Sequence, residues 1–105
     1  MSVMIYDVDF AESKICIGVS SEASFIRLWE QAIRECHITK LGNGIWLFRR
    51  DLEDIVMELE QIKIWAGNLS NTQDRNYLIN KAEQVRQELW KQWQEHPEVE
   101  RLWMG

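Results

Sequence analysis

Residues 41–67 have the sequence LGNGIWLFRRDLEDIVMELEQIKIWAG, in which a turn, a short strand and a long helix follow one another almost without connecting residues. The turn at 42–44 is Gly-Asn-Gly, and these residue types adopt positive φ angles at little cost. The apolar run at 45–48 has the length of a strand. Apolar side chains then recur at helical spacing, with Asp51 as the predicted N-cap and Gly67 as the predicted C′ residue. The segment therefore predicts a strand that leads directly into an amphipathic helix.

The N-terminal part of the chain predicts a β-hairpin. Every second residue from Met4 to Phe10 is apolar, and Asp7 and Asp9 lie between the last three of them. This pattern is typical of a half-buried strand and predicts that both aspartates face solvent. Charged side chains in such positions also protect an edge strand from aggregation. A second alternating run at 15–19 follows a short loop and completes the hairpin.

Two more helices and one more strand are predicted in the rest of the chain. Residues 22–35 have the periodicity of an amphipathic helix, and residues 37–41 predict a strand that leads into the glycine turn. A long helix is predicted at 73–95, with Ser70 or Thr72 as its cap. Pro97 ends this helix but suits the first turn of another one. The C-terminus is therefore expected to dock as a short helical turn, on which three residues share a face: Val99, Leu102 and Trp103.

These elements predict an α+β fold, with an antiparallel four-stranded sheet and three main helices in the order ββαββαα. A chain of 105 residues is expected to form one domain, spanning residues 1–105. The alternative is a mainly helical domain in which residues 37–48 form an irregular hairpin.

Charge is unevenly distributed along the chain. The formal net charge is −5, and residues 1–60 account for all of it with eleven acidic and six basic side chains, whereas residues 61–105 hold six of each. An acidic surface repels phosphates, so no nucleic-acid partner is predicted, and it suits a basic protein partner. No apolar run approaches the ~20 residues of a membrane span, and the acidic N-terminus lacks the features of a signal peptide. A cytoplasmic protein without membrane contact is therefore expected.

Candidate catalytic groups are few. Asp7 and Asp9, two residues apart after an apolar strand, resemble the paired aspartates of haloacid dehalogenase-type phosphotransferases, although the following residues do not continue that motif. The resemblance implies a metal-dependent enzyme that uses these two carboxylates. Cysteine and histidine positions fit no metal-binding spacing, so no metal and no cofactor are predicted. Cys16 and Cys36 are expected to be reduced and buried, as is usual for cytosolic cysteines.

Six tryptophans are an unusual number for this length. Three lie on predicted core stripes or in the central strand: Trp29, Trp46 and Trp65. Three crowd the C-terminal third of the chain: Trp90, Trp93 and Trp103. One helix face cannot bury all of the second group, and tryptophan is enriched at interface hot spots. These side chains are therefore either core residues or part of an interaction surface.

The function that these features favour is that of a non-catalytic protein-binding or inhibitor module. In size, charge and general build the chain resembles bacterial immunity proteins, which neutralise a partner toxin, often a basic nuclease, by covering it. The alternatives are a small adaptor, chaperone or regulatory subunit that dimerises through its C-terminal helix, and the metal-dependent enzyme described above. The residues predicted to bind the partner are acidic or aromatic: Asp7, Asp9, Glu12, Asp51, Glu53, Asp54 and Trp90.

Overall fold

An antiparallel sheet of four strands forms one layer of the protein, and helices cover one of its faces. The computed structural model describes residues 1–105. The strands are β1 (Ser2–Tyr6), β2 (Cys16–Ser21), β3 (Ile45–Phe48) and β4 (Arg101–Met104), and their spatial order is β2-β1-β4-β3. β4 is therefore central, because it pairs with β1 on one side and with β3 on the other.

Three helices form the second layer. α1 covers residues 22–35 in three contiguous segments, Glu22–Ser24, the π-helical Phe25–Trp29, and Glu30–Glu35. α2 (Leu52–Ala66) follows a 3-10 turn at Arg49–Asp51, and α3 (Thr72–Glu95) packs along it. None of these helices combines the length and the apolar composition that a membrane crossing requires.

The α+β class, the antiparallel four-stranded sheet and the three helices are confirmed, and the element order matches ββαββαα approximately. The difference lies in one strand. Residues 37–41 form no strand, and Arg101–Met104 supplies the fourth strand instead of a final helical turn. The mainly helical alternative is wrong.

Residues 37–41 form no strand because most of their backbone donors are bound elsewhere, two by carbonyls of α1 and two by a side chain of α2. The N–H groups of Thr39 and Lys40 donate to the Glu58 carboxylate over 2.9 and 2.7 Å. His37, with φ of 55°, adopts the left-handed conformation that commonly ends a helix. A segment whose donors are satisfied in this way has less to gain from pairing with a strand.

The segment between α3 and β4 is fixed by one arginine. The Arg49 guanidinium donates to the carbonyl oxygens of Trp93, His96 and Val99 over distances of 2.6–3.0 Å. The Trp93 indole N–H donates to the Val99 carbonyl as well, over 2.8 Å. These bonds end α3 and direct the chain back into the sheet, where the Arg49 N–H donates to the carbonyl of Glu100.

The alternation of β1 has the opposite phase to the predicted one. Val3 and Ile5 face the core, whereas Met4 and Tyr6 are only half buried and face away from the helices. The strand ends at Tyr6, and Asp7 continues the inward-facing series instead of facing solvent. In the observed phase Val3 and Ile5 belong to the core, and the Asp7 carboxylate is bound by donors of the loop that follows β1.

The helix limits agree with the predicted ones to within a residue or two, but their caps differ. Ser21 caps α1 by accepting from the Ser24 N–H. Asn71 caps α3, by accepting from the Asp74 N–H over 3.0 Å, rather than Ser70 or Thr72.

Neither end of α2 is capped in the predicted way. The Asp51 side chain makes no capping hydrogen bond and lies 3.6 Å from the Lys40 ammonium instead. Gly67 has φ of −59°, so the end of α2 needs no left-handed glycine.

Candidate functional site

A groove on the outer surface of the helical layer lies between α2 and α3. It has a volume of about 460 Å³ and is lined mainly by apolar side chains: Leu52, Val56, Met57 and Trp90, with Glu53 and Arg86 at its rim. Trp90 is 50% exposed and Met57 62% exposed. Because large apolar side chains of a folded protein are usually buried, this groove is the clearest candidate for a contact surface on the helices.

The charged side chains at the rim of the groove differ in whether they have an ionic partner within the protein. The Arg86 guanidinium donates to the Glu83 carboxylate, which also accepts from Lys63 over 2.9 Å. Bonds from Arg86 and then Lys63 hold the pKa of Glu83 well below its ordinary value. Glu53, in the first turn of α2, has no hydrogen-bonded or ionic partner within the protein. The uncompensated charge at the groove is therefore negative.

Of the three carboxylates at the start of α2 that were predicted to bind a partner, only one lines this groove. Glu53 lines it together with Trp90. Asp54 is exposed and lines a neighbouring depression, which shares Met57 with the groove. Asp51 is half buried and paired with Lys40, so it is less available to a partner.

Asp7, predicted to be a free surface carboxylate, is 3% exposed. Its Oδ1 accepts from the N–H groups of Lys14 and Ile15, each over 2.7 Å, and from the Ser13 hydroxyl over 2.9 Å. Burial works against ionisation, but these bonds outweigh it and hold the pKa of Asp7 below its ordinary 3.8. Asp7 therefore closes the loop between β1 and β2, and the prediction that it lies on the surface is wrong.

The other two hairpin carboxylates are exposed, but only one of them is free. Asp9 accepts two hydrogen bonds of 3.0 Å from the Arg101 guanidinium, which lower its pKa. Glu12, at the loop tip, has no ionic partner. Neither residue lines the groove between α2 and α3, so the hairpin and the helix start do not form one acidic site.

The outward face of the sheet carries a second group of apolar side chains. Tyr6, Trp46 and Trp103 lie on adjacent strands, and the two tryptophan rings meet edge to face with centroids 4.9 Å apart. None of them belongs to the core, and each is half buried. Trp46 was predicted to lie in the core, and its position here follows from the phase of β3, in which Leu47 points inward.

The cysteines and histidines do not form a site. Cys16 and Cys36 are free, and Cys16 is exposed rather than buried as predicted. Burial, with a smaller effect of Glu35, raises the pKa of the Cys36 thiol. No three or more histidine, cysteine, aspartate or glutamate side chains are placed together so that they could hold a metal ion.

No protein family matches the chain, and neither a curated protein nor a solved structure shows significant similarity to it.

Three features escaped the sequence-based interpretation. Arg49 and Glu58 organise neighbouring segments through backbone groups, and nothing in the sequence marks a side chain for such contacts. The aromatic sheet face had a detectable signal, because Met4 and Tyr6 alternate with Val3 and Ile5, so that either set fits the core.

Proposed function

We propose that the chain is a non-catalytic protein-binding module that neutralises a partner protein by covering it, as bacterial immunity proteins do, and that it acts in the cytoplasm. The observation that supports this proposal best is the half-exposed Trp90 in an apolar groove that has the unpaired Glu53 at its rim. Tryptophan is the residue type most often found to anchor protein interfaces. An apolar groove beside it gives room for an apolar side chain of the partner.

Charge favours a basic partner, such as a toxin or nuclease domain. Glu53 and Asp54 are exposed in the first turn of α2 without ionic partners, and the net charge of the chain is −5. Opposite charges on two surfaces increase the rate of encounter, whereas buried aromatic contacts mainly slow dissociation. The same net charge disfavours binding of nucleic acid by the chain itself.

Two other functions have less support. An adaptor, chaperone or regulatory subunit that dimerises through α3 would also use Trp90, because this side chain lies on the exposed side of that helix. A metal-dependent enzyme would need Asp7 and Asp9 as ligands or nucleophiles. Both carboxylates are engaged by donors of the protein itself, Asp7 by the loop that follows and Asp9 by Arg101.

The test compares baits that differ in one side chain. Wild type, Trp90→Ala, Glu53→Lys and Ile26→Ala are immobilised, and proteins from cells that express the chain are captured and identified. Ile26, on α1, is 56% exposed and serves as the matched control for loss of an exposed apolar side chain. We expect wild type and Ile26→Ala to retain the same basic protein, and Trp90→Ala to retain much less of it.

Binding kinetics of that protein then separate the contribution of the aromatic contact from the contribution of the negative charge. Trp90→Ala is expected to raise the dissociation rate by about tenfold or more, since a hot spot contributes at least ~1–2 kcal/mol. Glu53→Lys is expected to lower the association rate and to weaken its dependence on salt. A partner that binds all four baits equally would show that this groove is not the contact surface.

A further inference from the structure

Arginine side chains lie against aromatic rings at three places in this protein. The distance from the central guanidinium carbon to the ring centroid is 4.0, 4.6 or 5.5 Å in three pairs: Arg101–Trp46, Arg50–Phe48 and Arg49–Trp93. Such contacts are favourable because the ring face attracts a cation, and the planar guanidinium also stacks on it. These pairs show how the chain accommodates a guanidinium group.

The contact of Arg101 is the most complete of the three. Its guanidinium stacks on Trp46 and donates two hydrogen bonds, each of 3.0 Å, to the Asp9 carboxylate. Stacking on the flat face and a forked bond at the edge use the two properties that distinguish arginine from lysine. A tryptophan ring with a carboxylate beside it is therefore a binding site for a guanidinium group in this protein.

The groove between α2 and α3 has the same two groups without an arginine of the chain on the ring. Trp90 and Glu53 both line it, Trp90 is 50% exposed, and no cation of the chain lies over its indole. Glu53 is exposed and has no ionic partner. Leu52 and Val56, also in the lining, offer apolar surface for the methylene stem of a long cationic side chain.

Arg86, which also lines the groove, is engaged elsewhere. Its guanidinium donates twice to the Glu83 carboxylate. Lys63 is bonded to the same carboxylate and to Glu60. This cluster holds two cations and two carboxylates, so it adds no net charge to the groove. Glu53 remains unmatched, and the groove therefore favours a cation from another molecule.

We propose that an arginine of the partner protein occupies this groove, with its guanidinium stacked on the Trp90 indole and hydrogen-bonded to the Glu53 carboxylate. This inference rests on the proposed function, because it names the side chain with which the basic partner enters the groove. Lysine fits less well, since a compact ammonium has no planar face and forms no forked bond. Tryptophan and arginine are both enriched at interface hot spots, and hot spots tend to pair across an interface.

Three short peptides that differ in one side chain test this assignment without the partner. They are acetylated and amidated tripeptides with arginine, lysine or citrulline between two leucines, which match the apolar part of the groove. Citrulline has the planar shape of arginine without its charge, and lysine has the charge without the planar shape. Each peptide is titrated into isotope-labelled protein and followed by NMR. The indole N–H signal of Trp90, assigned by its loss in Trp90→Leu, reports binding.

The arginine peptide is expected to shift the Trp90 signal with a Kd of about 1–10 mM, and the other two peptides to bind about threefold more weakly or less. The indole signals of the other tryptophans should not move. Glu53→Gln keeps the shape of the side chain and removes its charge, so it should weaken binding of the arginine peptide to the level of the citrulline peptide. Glu12→Gln removes an exposed carboxylate without an ionic partner from the hairpin loop, and this matched control should bind like wild type.

The inference is overturned by an unchanged Trp90 signal at ~20 mM arginine peptide, by equal binding of the three peptides, or by equal binding to wild type and Glu53→Gln. These outcomes are independent of the capture experiment, because the titration contains no partner. A partner that is retained through Trp90, together with no binding of the arginine peptide, would exclude the arginine and leave the proposed function intact. Binding of the arginine peptide by a chain that retains no partner would instead contradict the proposed function and keep the guanidinium site.

Discussion

Single side chains that bind backbone groups of another segment decide much of the local structure. Asp7 satisfies the donors of the 13–15 segment, and Glu58 satisfies those of Thr39 and Lys40. Both carboxylates are nominally surface residue types. A sequence pattern assigns such residues to solvent because it records polarity and spacing, not the positions of backbone donors from other segments. This is why the inward position of Asp7 could not be predicted from the alternation that contains it.

Ionised Asp7 should stabilise the fold in a pH-dependent manner. Its pKa in the folded state is lower than in the unfolded state, so the unfolded state binds more protons as the pH falls. The contribution is therefore complete well above pH ~4, the ordinary value of an aspartate, and is lost as the pH decreases through the folded-state pKa.

Asp7→Asn tests this contribution. At pH 7 we expect the variant to lose about 1.5–3 kcal/mol of unfolding free energy, the range for hydrogen bonds to a charged group. Urea unfolding repeated towards pH ~3 should show the difference from wild type becoming smaller. Glu12→Gln, an exposed change in the same loop, is the control and should stay within ~0.5 kcal/mol of wild type. A difference that is constant with pH would contradict an ionised, hydrogen-bonded Asp7.

The helices were predictable because their signal is local. Apolar spacing over 22–35, 52–66 and 73–95 is enough to define an amphipathic face, and the helices of the structure occupy almost the same residues. Strands are different, because a short apolar run becomes a strand only if a partner is available. The sequences of 37–41 and Arg101–Met104 are both short and partly apolar, and Arg49 and Glu58 determine which of them enters the sheet.

Arg49 should contribute far more to stability than its neighbour Arg50. Arg49 donates to three backbone carbonyls, one in the last turn of α3 and two in the segment before β4. Arg50 is exposed and only stacks on the Phe48 ring at 4.6 Å. We expect Arg49→Ala to cost about 2–4 kcal/mol, because several charged hydrogen bonds to backbone carbonyls are lost. Arg50→Ala should cost less than about 0.5 kcal/mol.

Thermal and urea unfolding of both variants measure this difference. Arg49→Lys is an informative third variant, since an ammonium cannot reproduce the fork of donors that reaches three carbonyls, and we expect it to lie closer to alanine than to wild type. Equal effects of Arg49→Ala and Arg50→Ala would mean that the bonds from Arg49 do not fix the path of the C-terminal segment.

The two ends of the chain meet at the centre of the sheet. β4 pairs with β1, so the first and last strands are neighbours, and β3 joins the sheet only through β4. Contacts between residues this far apart in sequence leave no periodic signal, and they could not be predicted from local patterns.

The candidate groove was partly predictable, because Trp90 and Glu53 were each identified, but their proximity depends on how α2 packs against α3.

The central position of β4 predicts that the last seven residues are essential to the whole fold. A chain that ends at Glu98 lacks Val99, Leu102 and Met104, all of which are buried. Loss of each buried side chain of this size costs about 1–5 kcal/mol, and the sum is comparable to the ~5–15 kcal/mol that stabilises a typical domain. β3 would also lose the strand with which it pairs, and Arg49 and Trp93 would lose the Val99 carbonyl.

We therefore expect the truncated chain to show no cooperative urea transition and no near-ultraviolet circular dichroism from ordered tryptophans. Glu100→Ala, which removes an exposed side chain from the same segment, should unfold like wild type. A cooperative transition in the truncated chain would mean that β1 and β2 fold with the helices alone, and that β4 is an addition to the fold rather than its centre.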